Sequence, residues 1–495
     1  MGNSLHLSKS RFTCGLQCYR LLWWRVQEPD APELIPDLGQ QAIFDQGKRV
    51  GEVARTYVPG GQLVNLPHDA FGERVSLTRE LLDLKVPAIY EASFLADDVY
   101  AAVDILKRER DGFRLIEVKS STSLKDEHLP DVAIQLHVLR KSGLEVTRAE
   151  VMHLNRACAY PHLDNLFTRQ DVTGDAEALQ AGLPDLIAGQ VRMLAGSLPE
   201  VPIGEHCAKP YECPFMTRCW EDTPENHVNT LYRVQRGGAD LIARGFETID
   251  RLPPGAGLSA IQERQRRSVQ ADRLIVEPGL ARALKAFREP LAFLDFETVG
   301  LAVPVWNGCH PYDAVPVQFS CQRPAPDGTV VRHEWLADGP EDPRPELARR
   351  LVEACRGART IVAYNASFER RGVELLAAAV PELAKELLEM AVRLADPLPV
   401  VRDHVYHPDF GGSFSLKAVL PALVPGSGYD ELEVADGATA SIELERLMFR
   451  GDSMPAENRQ RLREALLLYC ALDTAGLMKL LARLRELAGT GGPGP

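Results

Sequence analysis

Apolar and polar positions in the first half of the chain follow the short period of β-strands at two neighbouring places. The runs 99–106 and 113–120 are strand-like, and Asp111 and Gly112 between them form a dipeptide typical of a tight hairpin. The elements that we predict after the hairpin are a helix at 130–142, a strand at 149–154 and a helix at 174–196. This order of elements predicts a mixed α/β core.

A second α/β pattern begins near residue 290, where LAFLDFET at 291–298 is an apolar strand run that ends in acids. The further predicted elements are strands at 315–322, 330–337 and 360–365 and helices at 345–356 and 456–488. Between the two patterns, the Pro- and Gly-rich stretch 251–260 predicts a loop, and 261–289 is polar with a helical pattern.

We therefore expect an α/β protein with two domains, because 495 residues exceed what one ordinary core holds. The predicted segments are a first domain at 1–220, a partly helical connector at 221–289, a second domain at 290–488 and a disordered tail at 489–495.

Composition is that of an ordinary globular protein, with 45% hydrophobic and 25% charged residues. We see no run of about 18 apolar residues and no secretory signal, so we expect a cytoplasmic protein with no membrane partner. The net charge of −13 argues against a broadly basic surface for nucleic acid. Cations held by clustered carboxylates reverse a local field, however, and the basic stretch 262–267 is a candidate local groove.

The first chemical constellation combines Asp104, Glu117 and Lys119. Residues i and i+2 of a strand share a face, so Glu117 and Lys119 project together, and an acid from the adjacent strand can meet them. Two carboxylates can hold Mg²⁺ or Mn²⁺, and a lysine can orient water or stabilise developing charge. Gln135, on the following predicted helix, could fix substrate or water. An isolated ExK is more often a surface ion pair, but here the acid, hairpin, ExK and helix come in order.

Cysteines form a second constellation. Cys207, Cys213 and Cys219 are each six residues apart, and Cys18 lies near the other end of the same domain, with Cys14 one helical turn earlier. Thiolates are soft ligands, and four of them suit an iron–sulfur cluster or zinc, although zinc sites usually use close CxxC pairs. Buried, reduced cysteines without metal are the remaining interpretation.

The third constellation lies in the second half of the chain. Its candidate residues are Asp295, Glu297, Asn365, Glu369, Tyr469 and Asp473. The first two share a strand face, and the last two are spaced i, i+4 on one helix face. The last acid could complete a metal cage, and the tyrosine could orient a water. Each motif alone is weak, but the three follow in order on a strand, a helix start and a late helix.

The first half resembles the PD-(D/E)xK nucleases of the RecB-like branch, through VDILKRERDGFRLIEVKSSTS and DVAIQLHVL. This resemblance implies a restriction-endonuclease-like fold in which Asp104, Glu117, Lys119 and Gln135 are the catalytic residues, with Glu91 in IYEASF as an accessory candidate. One departure is that Gly51 stands where many of these enzymes carry a metal-binding histidine, which leaves Glu52 as a candidate substitute.

The segment SKSRFTCGLQCYRLLW, together with the three clustered cysteines, is similar to the CRISPR-associated RecB-like exonucleases. The similarity implies that a 4Fe-4S cluster is bound by Cys18, Cys207, Cys213 and Cys219 and that Cys14 is a bystander. The cluster would join the start of the domain to its end.

The second half resembles the DEDD exonucleases with an RNase H-like fold, in the subclass with a tyrosine in its last motif. The resemblance implies two cations about 4 Å apart. Glu369 occupies the slot that normally holds an Asp, and Asp396 and Asp409 are alternative acids. Arg370 and Arg371 could touch phosphate oxygens. Nearly the whole chain resembles bacterial proteins that join a RecB-like half to a DEDD-like half.

These resemblances imply a metal-dependent nuclease in repair or defence, with DNA as the first expected substrate and RNA as the second. A Walker-type GxxxxGK[ST] pattern is absent from the sequence, so a helicase or other processing protein would be a separate partner. Two alternatives stay open. The chain could be a nucleic-acid-binding scaffold with one or both sites degenerate, as Gly51 and Glu369 suggest, or a redox-sensing iron–sulfur protein.

Overall fold

The chain forms two compact units. The computed structural model describes residues 7–234, 237–325, 327–428, 434 and 436–490. The first unit comprises Met1–Asp222 with Leu301–Val305 and Cys309–Tyr312, and the second comprises Thr223–Gly300, Trp306–Gly308 and Asp313–Pro495. Each unit combines helices with a β-sheet, which confirms the α/β class.

The first unit contains short helices at its start, a central sheet and helices after the sheet. Its helices are α1 (Lys9–Gln17), α2 (Tyr19–Gln27), α3 (Leu38–Thr56), α4 (Phe71–Asp83), α5 (His128–Lys141), α6 (Thr173–Gln180), α7 (Leu183–Leu194) and α8 (Met216–Trp220). Its strands are β1 (Leu7–Ser8), β2 (Gly61–Leu63), β3 (Ala88–Ala96), β4 (Val99–Glu109), β5 (Gly112–Lys119), β6 (Val146–Leu154) and β7 (Phe167–Asp171).

The sheet of the first unit has the order β2-β3-β4-β5-β6-β7, and β1 pairs with the start of β4. The strands β3, β4 and β5 form an antiparallel meander, whereas β6 runs parallel to β5 after the helix α5. The middle of α5 is buried along its whole circumference, from Val132 to Leu139. Its apolar side chains pack against the sheet in the main core. Two residues of this helix, Gln135 and Asp131, contact Glu117 and Lys119 at the end of β5.

The second unit is built around a smaller sheet. Its helices are α9 (Gly237–Ala243), α10 (Ala260–Ala271), α11 (Leu280–Ala283), α12 (Arg344–Ala354), α13 (Ser367–Ala379), α14 (Ala384–Val392), α15 (Pro397–His404), α16 (Leu416–Leu423), α17 (Gly437–Arg450) and α18 (Ala456–Thr490). Its strands are β8 (Ile275–Val276), β9 (Leu291–Val299), β10 (Val315–Pro324), β11 (Val330–Leu336), β12 (Thr360–Val362), β13 (Leu394–Ala395) and β14 (Val405–Tyr406).

The main sheet of the second unit has the order β11-β10-β9-β12-β13. The central strand β9 is antiparallel to β10 and parallel to β12. Its apolar residues are buried on both sides, which explains why the sequence shows an almost continuous apolar run there. The acids at the end of this run therefore lie at the end of the most central strand.

The predicted hairpin and the strand at 291–298 are confirmed, but two predicted helices differ from the structure. The helix at 174–196 is broken into α6 and α7, which end and begin at Gln180 and Leu183. The predicted helix at 261–289 is interrupted after residue 271 and resumes only as the short helix α11. At the interruption α10 ends at Asp272, which adopts a left-handed φ of 43°, and β8 follows and pairs with β14.

The basic stretch 262–267 does not form an open cationic groove. The side chains of Arg264 and Arg266 are buried, and they pair with Glu277 and Glu263. Arg267 also pairs with Glu277. The helical period of the sequence could reveal Glu263, three residues before Arg266, but not Glu277, which lies beyond the end of the helix.

The helix α18 is long and apolar. By length and composition alone its segment Ala456–Gly489 would pass for a membrane span, with a mean hydropathy of 1.6 in the most apolar window. The sequence nevertheless has no unbroken run of about 18 apolar residues there, because Asp473 and Lys479 interrupt the apolar residues of this helix. Half of that window is buried within the protein, as in a core helix of a globular unit. Of the tail expected at 489–495, residues 489 and 490 continue the helix, and 491–495 lie outside the described residues.

Candidate metal centres and a cysteine cluster

Glu117 is the centre of the first candidate site, which we define by Asp104, Glu117, Lys119 and Gln135. Its side chain is only 2% exposed. Its Oε1 accepts hydrogen bonds from Lys119 Nζ at 2.8 Å and from Lys9 Nζ at 2.9 Å, and its Oε2 accepts from Gln135 Nε2 at 2.8 Å. Burial opposes ionisation, but Lys119 and Lys9 outweigh it and hold the pKa of Glu117 well below its usual value. The carboxylate is therefore charged.

Asp104 lies beside this carboxylate on β4. Its Oδ2 accepts a hydrogen bond from the backbone N–H of Val118 at 2.7 Å. Burial, and then the nearby charge of Glu117, raise the pKa of Asp104 to about 8. A cation bound next to Asp104 would favour its ionised form. Asp104 and Glu117 therefore lie close together, as the sequence predicted. The nearby positive charge of Lys9 does not offset the effects of burial and of Glu117 on the pKa of Asp104.

Glu91 lies opposite Asp104, at a gap in the pairing of β3 and β4. The paired residues are Tyr90 with Ile105 on one side of the gap and Ala92 with Val103 on the other. Glu91 has a φ of 59°, a left-handed conformation that a non-glycine residue adopts at a cost of about 1 kcal/mol. This backbone arrangement brings the carboxyl groups of β3 and β4 to the same place along the sheet.

Two arginines hold the Glu91 side chain. Arg55 on α3 contacts one carboxylate oxygen at 3.1 Å, and the buried Arg74 on α4 lies 3.8 Å from the other. Gly51, one turn before Arg55, has open space where a side chain would stand. Glu52 does not take the place of a missing ligand, because its exposed side chain pairs with Arg49.

Gln135 has one polar atom that the protein does not satisfy. Its Nε2 donates to Glu117 and to the backbone carbonyl of Asp131. Its Oε1 is buried and has no hydrogen-bond partner among the described residues. An unsatisfied buried acceptor costs about 1–3 kcal/mol, and a cation or a water bound beside it would satisfy it. The donor set of the first site, with its two acids and free amide oxygen, fits a hard divalent cation.

The four predicted cluster cysteines converge in the first unit. Cys18, Cys207, Cys213 and Cys219 all line one small pocket, together with Trp24 and other side chains. Burial, and then the proximity of the other cysteines, raises the pKa of Cys213 to about 11. Cys14 does not line this pocket, although it packs nearby.

The second candidate site is a cavity of about 290 Å³ in the second unit. All six residues predicted from the sequence line it, and they are Asp295, Glu297, Asn365, Glu369, Tyr469 and Asp473. They come from β9, from the loop before α13 and its first turn, and from the middle of α18. The tertiary structure thus brings together acids that are up to 178 residues apart in the sequence.

Burial and mutual repulsion raise the pKa values of acids in the second site. The pKa of Asp295 lies well above its usual value because the group is buried and because Asp473 and Glu297 are near. Burial, and then Asp473, raise the pKa of Glu297 to about 8. Burial is also the main cause that raises the pKa of Glu369 to about 8. These carboxyl groups would ionise more readily if a cation were bound.

Two further observations mark the second site as a ligand site. The Oε2 atom of Glu369 is buried without a hydrogen-bond partner among the described residues. Cys470 places its sulfur 3.3 Å from Asp295 Oδ2, and one ligand atom each from Asp295, Glu297 and Cys470 lie within 4.8 Å of one another. The oxygen ligands at this site are the kind that Mg²⁺ and Mn²⁺ prefer.

A row of polar side chains on β10 positions α18. The Nε2 atoms of Gln318 and Gln322 donate to the backbone carbonyls of Leu466 and Ala471, each at 2.7 Å. Ser320 between them hydrogen bonds to Thr474 at 2.8 Å. These buried contacts lie along the same stretch of α18 as Tyr469 and Asp473. They therefore set the position of both residues over the end of β9.

Some other sequence candidates have different roles. Asp396 is not an acid of the cavity, because it caps the start of α15 and accepts hydrogen bonds from the backbone N–H groups of Asn365, Ala366 and Leu398. Asp409 is exposed and lies near His407. Arg370 and Arg371 do not line the cavity. The guanidinium of Arg370 instead donates to the carbonyl of Ala391.

Sequence reasoning missed several residues at these sites. Lys9 and Asp131 contact Glu117 or Lys119 in the first site, and Cys470 contacts Asp295 in the second. Asp131 had a signal, since it stands one helical turn before Gln135. Lys9 had none, because it is 108 residues away from Glu117 in the sequence.

Comparison with known proteins adds one family. Residues 292–415 match the model of a domain of unknown function, DUF2779. The match begins at β9 and includes Asp295, Glu297 and Glu369, but it ends before α18. Neither the curated proteins nor the solved structures include a match to the chain.

Proposed function

We propose that the protein is a metal-dependent nuclease that hydrolyses phosphodiester bonds in nucleic acid, with DNA as the expected substrate. The observation that carries the proposal is the cavity of the second unit, where four carboxyl groups and a tyrosine converge. Three of the four have raised pKa values, so the protein supplies too little positive charge of its own. The site is arranged to bind cations in an open cavity that a substrate can enter.

In this proposal the second unit is a DEDD-type exonuclease with an RNase H-like fold. Bound Mg²⁺ or Mn²⁺ would polarise the scissile phosphate and favour an attacking hydroxide. Asp295, Glu297 and Asp473 would hold the cations, and Glu369 would act where an aspartate is usual. Tyr469 is 3% exposed and lines the cavity, where its hydroxyl would orient the attacking water.

The first unit would contain a second nuclease site, of the PD-(D/E)xK type. Asp104 and Glu117 would be its metal ligands, and Lys119 would stabilise charge on the phosphate. The buried Oε1 of Gln135 supports this assignment, because the described residues offer it no hydrogen-bond donor and a bound cation or water would satisfy it. Separate sites would let one chain process nucleic acid in two ways.

We also propose a 4Fe-4S cluster at Cys18, Cys207, Cys213 and Cys219. The convergence of all four cysteines on one small pocket supports a shared metal group, and four thiolates are the usual ligands of such a cluster. The cysteines come from the two ends of the first unit, so the cluster would close a long loop of chain.

The test is a cleavage assay on protein purified anaerobically. Single- and double-stranded DNA and RNA are incubated with Mg²⁺ or Mn²⁺, using wild type, Lys119→Ala, Asp295→Ala and the double variant. We expect each single variant to lose one activity and the double variant to lose both. Full activity in the double variant would refute the assignment. Metal-independent binding without cleavage would instead support a scaffold.

A further inference from the structure

Lys9 is a second lysine at the first site. It is the first residue of α1, and its Nζ lies 2.9 Å from Glu117 Oε1 and 3.6 Å from Asp131 Oδ1. Burial disfavours its charge, but Asp131 and Glu117 outweigh that and raise its pKa above the usual value. Lys9 is thus a charged residue among the groups to which the proposed function gives a chemical role.

The two lysines and two carboxylates alternate around this part of the site. Lys119 contacts the same two acids as Lys9, with a 2.8 Å bond to Glu117 and a short contact to Asp131. The side chains of Glu117 and Asp131 are 2% and 12% exposed. A buried carboxylate that loses its only cation is strongly destabilised, so it holds that cation tightly. With Lys9 present, Asp131 has a second cation and does not depend on Lys119.

The backbone holds Lys9 firmly at this place. Leu7 is fully buried and pairs with Val99 at the start of β4. The Ser8 hydroxyl caps α1 by accepting a hydrogen bond from the N–H of Arg11. Phe12, in the next turn, is fully buried. Lys9 is therefore anchored to the strand that carries Asp104 and is not part of a free terminus.

We infer that Lys9 is a positioning residue of the first site: by balancing Asp131 it leaves Lys119 able to turn from that carboxylate to the reacting phosphate. The inference rests on the proposed nuclease function of the first unit. It predicts that Lys9 matters through its ion-pair contact with Asp131. Removal of both charges should then be better tolerated than removal of Lys9 alone.

The experiment measures cleavage of a labelled DNA oligonucleotide with Mn²⁺ in an Asp295→Ala background, which isolates the first site. We expect Lys9→Met to lower kcat about tenfold with little change in KM, and Lys9→Arg to keep most of the activity. The double variant Lys9→Met with Asp131→Asn should recover most of the loss. Lys141→Met is the control, because Lys141 is an exposed lysine at the far end of α5 that pairs with Asp97. Thermal unfolding and iron absorbance verify that each variant is folded.

The outcomes separate the inference from the proposed function. If the Asp295→Ala parent does not cleave at all, the nuclease assignment of the first unit fails and the role of Lys9 fails with it. If the parent cleaves and Lys9→Met cleaves equally well, only the inference is refuted. It is also refuted if Lys9→Met is folded but inactive and Asp131→Asn restores nothing, since that result would mean that Lys9 acts independently of Asp131.

Discussion

Replacement of Glu297 by glutamine should make the metal-free protein more stable at alkaline pH, although it should abolish the activity of the second site. Glu297 is 7% exposed, and its pKa is raised from 4.5 to about 8 by burial and by Asp473. The folded protein binds the proton of Glu297 more tightly than the unfolded chain does. The contribution of this proton to the free energy of unfolding is therefore fully present below about pH 4.5. Stability then falls as the pH rises towards 8, where the buried group must ionise.

The size of the effect follows from the shift. At about 1.4 kcal/mol per pKa unit, a change from 4.5 to about 8 corresponds to roughly 5 kcal/mol when Glu297 is fully ionised. Glutamine keeps the shape and removes the charge, but Asp295 and Asp473 still repel each other. We therefore expect the free energy of unfolding of Glu297→Gln to exceed that of wild type by about 2 kcal/mol above pH 8. This corresponds to a rise of roughly 4 °C in the unfolding midpoint.

The assay is thermal unfolding of wild type and Glu297→Gln at pH 5 and pH 8.5, with chelator and then with excess Mn²⁺. The variants should be equally stable at pH 5, and the variant should be the more stable at pH 8.5 with chelator. Mn²⁺ should stabilise wild type at pH 8.5 more than the variant, because it binds the ionised acids. If both proteins lose the same stability between pH 5 and pH 8.5, burial does not oppose the ionisation of Glu297 and the reasoning is wrong.

Three further changes test other parts of the structure. Cys219→Ser should remove the visible absorbance and most of the iron of the purified protein, whereas the control Cys14→Ser should keep both; equal iron in the two variants would contradict the ligand assignment. Gln322→Leu should destabilise the second unit by about 1–3 kcal/mol in denaturant unfolding, because Ala471 and Thr474 lose a buried donor. An unchanged midpoint would show that β10 does not anchor α18. Gly51→Ala, in the interior of α3 with open space around it, should raise stability by about 0.5–1 kcal/mol, and a loss would mean that a side chain does not fit there.

Helix α1 connects the first candidate site with the cysteine cluster. α1 begins with Lys9 at the first site, and Cys18 of the cysteine cluster caps its other end. Gln17 also donates hydrogen bonds to the carbonyls of His206 and Tyr211, next to Cys207. A single short helix therefore links the two groups of residues in the first unit. Damage to the cysteine cluster would be expected to disturb the first site as well.

Local patterns were sufficient where one strand or one helix carries the chemistry. The two-residue period of a strand placed Glu117 next to Lys119, and the helical period placed Tyr469 one turn from Asp473. These relations depend on backbone geometry within a single element, so they can be read from the sequence. The same is true of the hairpin at Asp111 and of the buried strand that ends at the acids of the second site.

Tertiary structure alone decided which distant residues join these pairs. Lys9 reaches Glu117 because β1 pairs with β4, and no period in the sequence encodes that pairing. Gln318 and Gln322 have the spacing of a strand face that meets solvent, yet α18 covers that face and turns it into an anchor. A side chain's environment depends on what packs over it, and packing between elements far apart in the chain is a property of the whole fold.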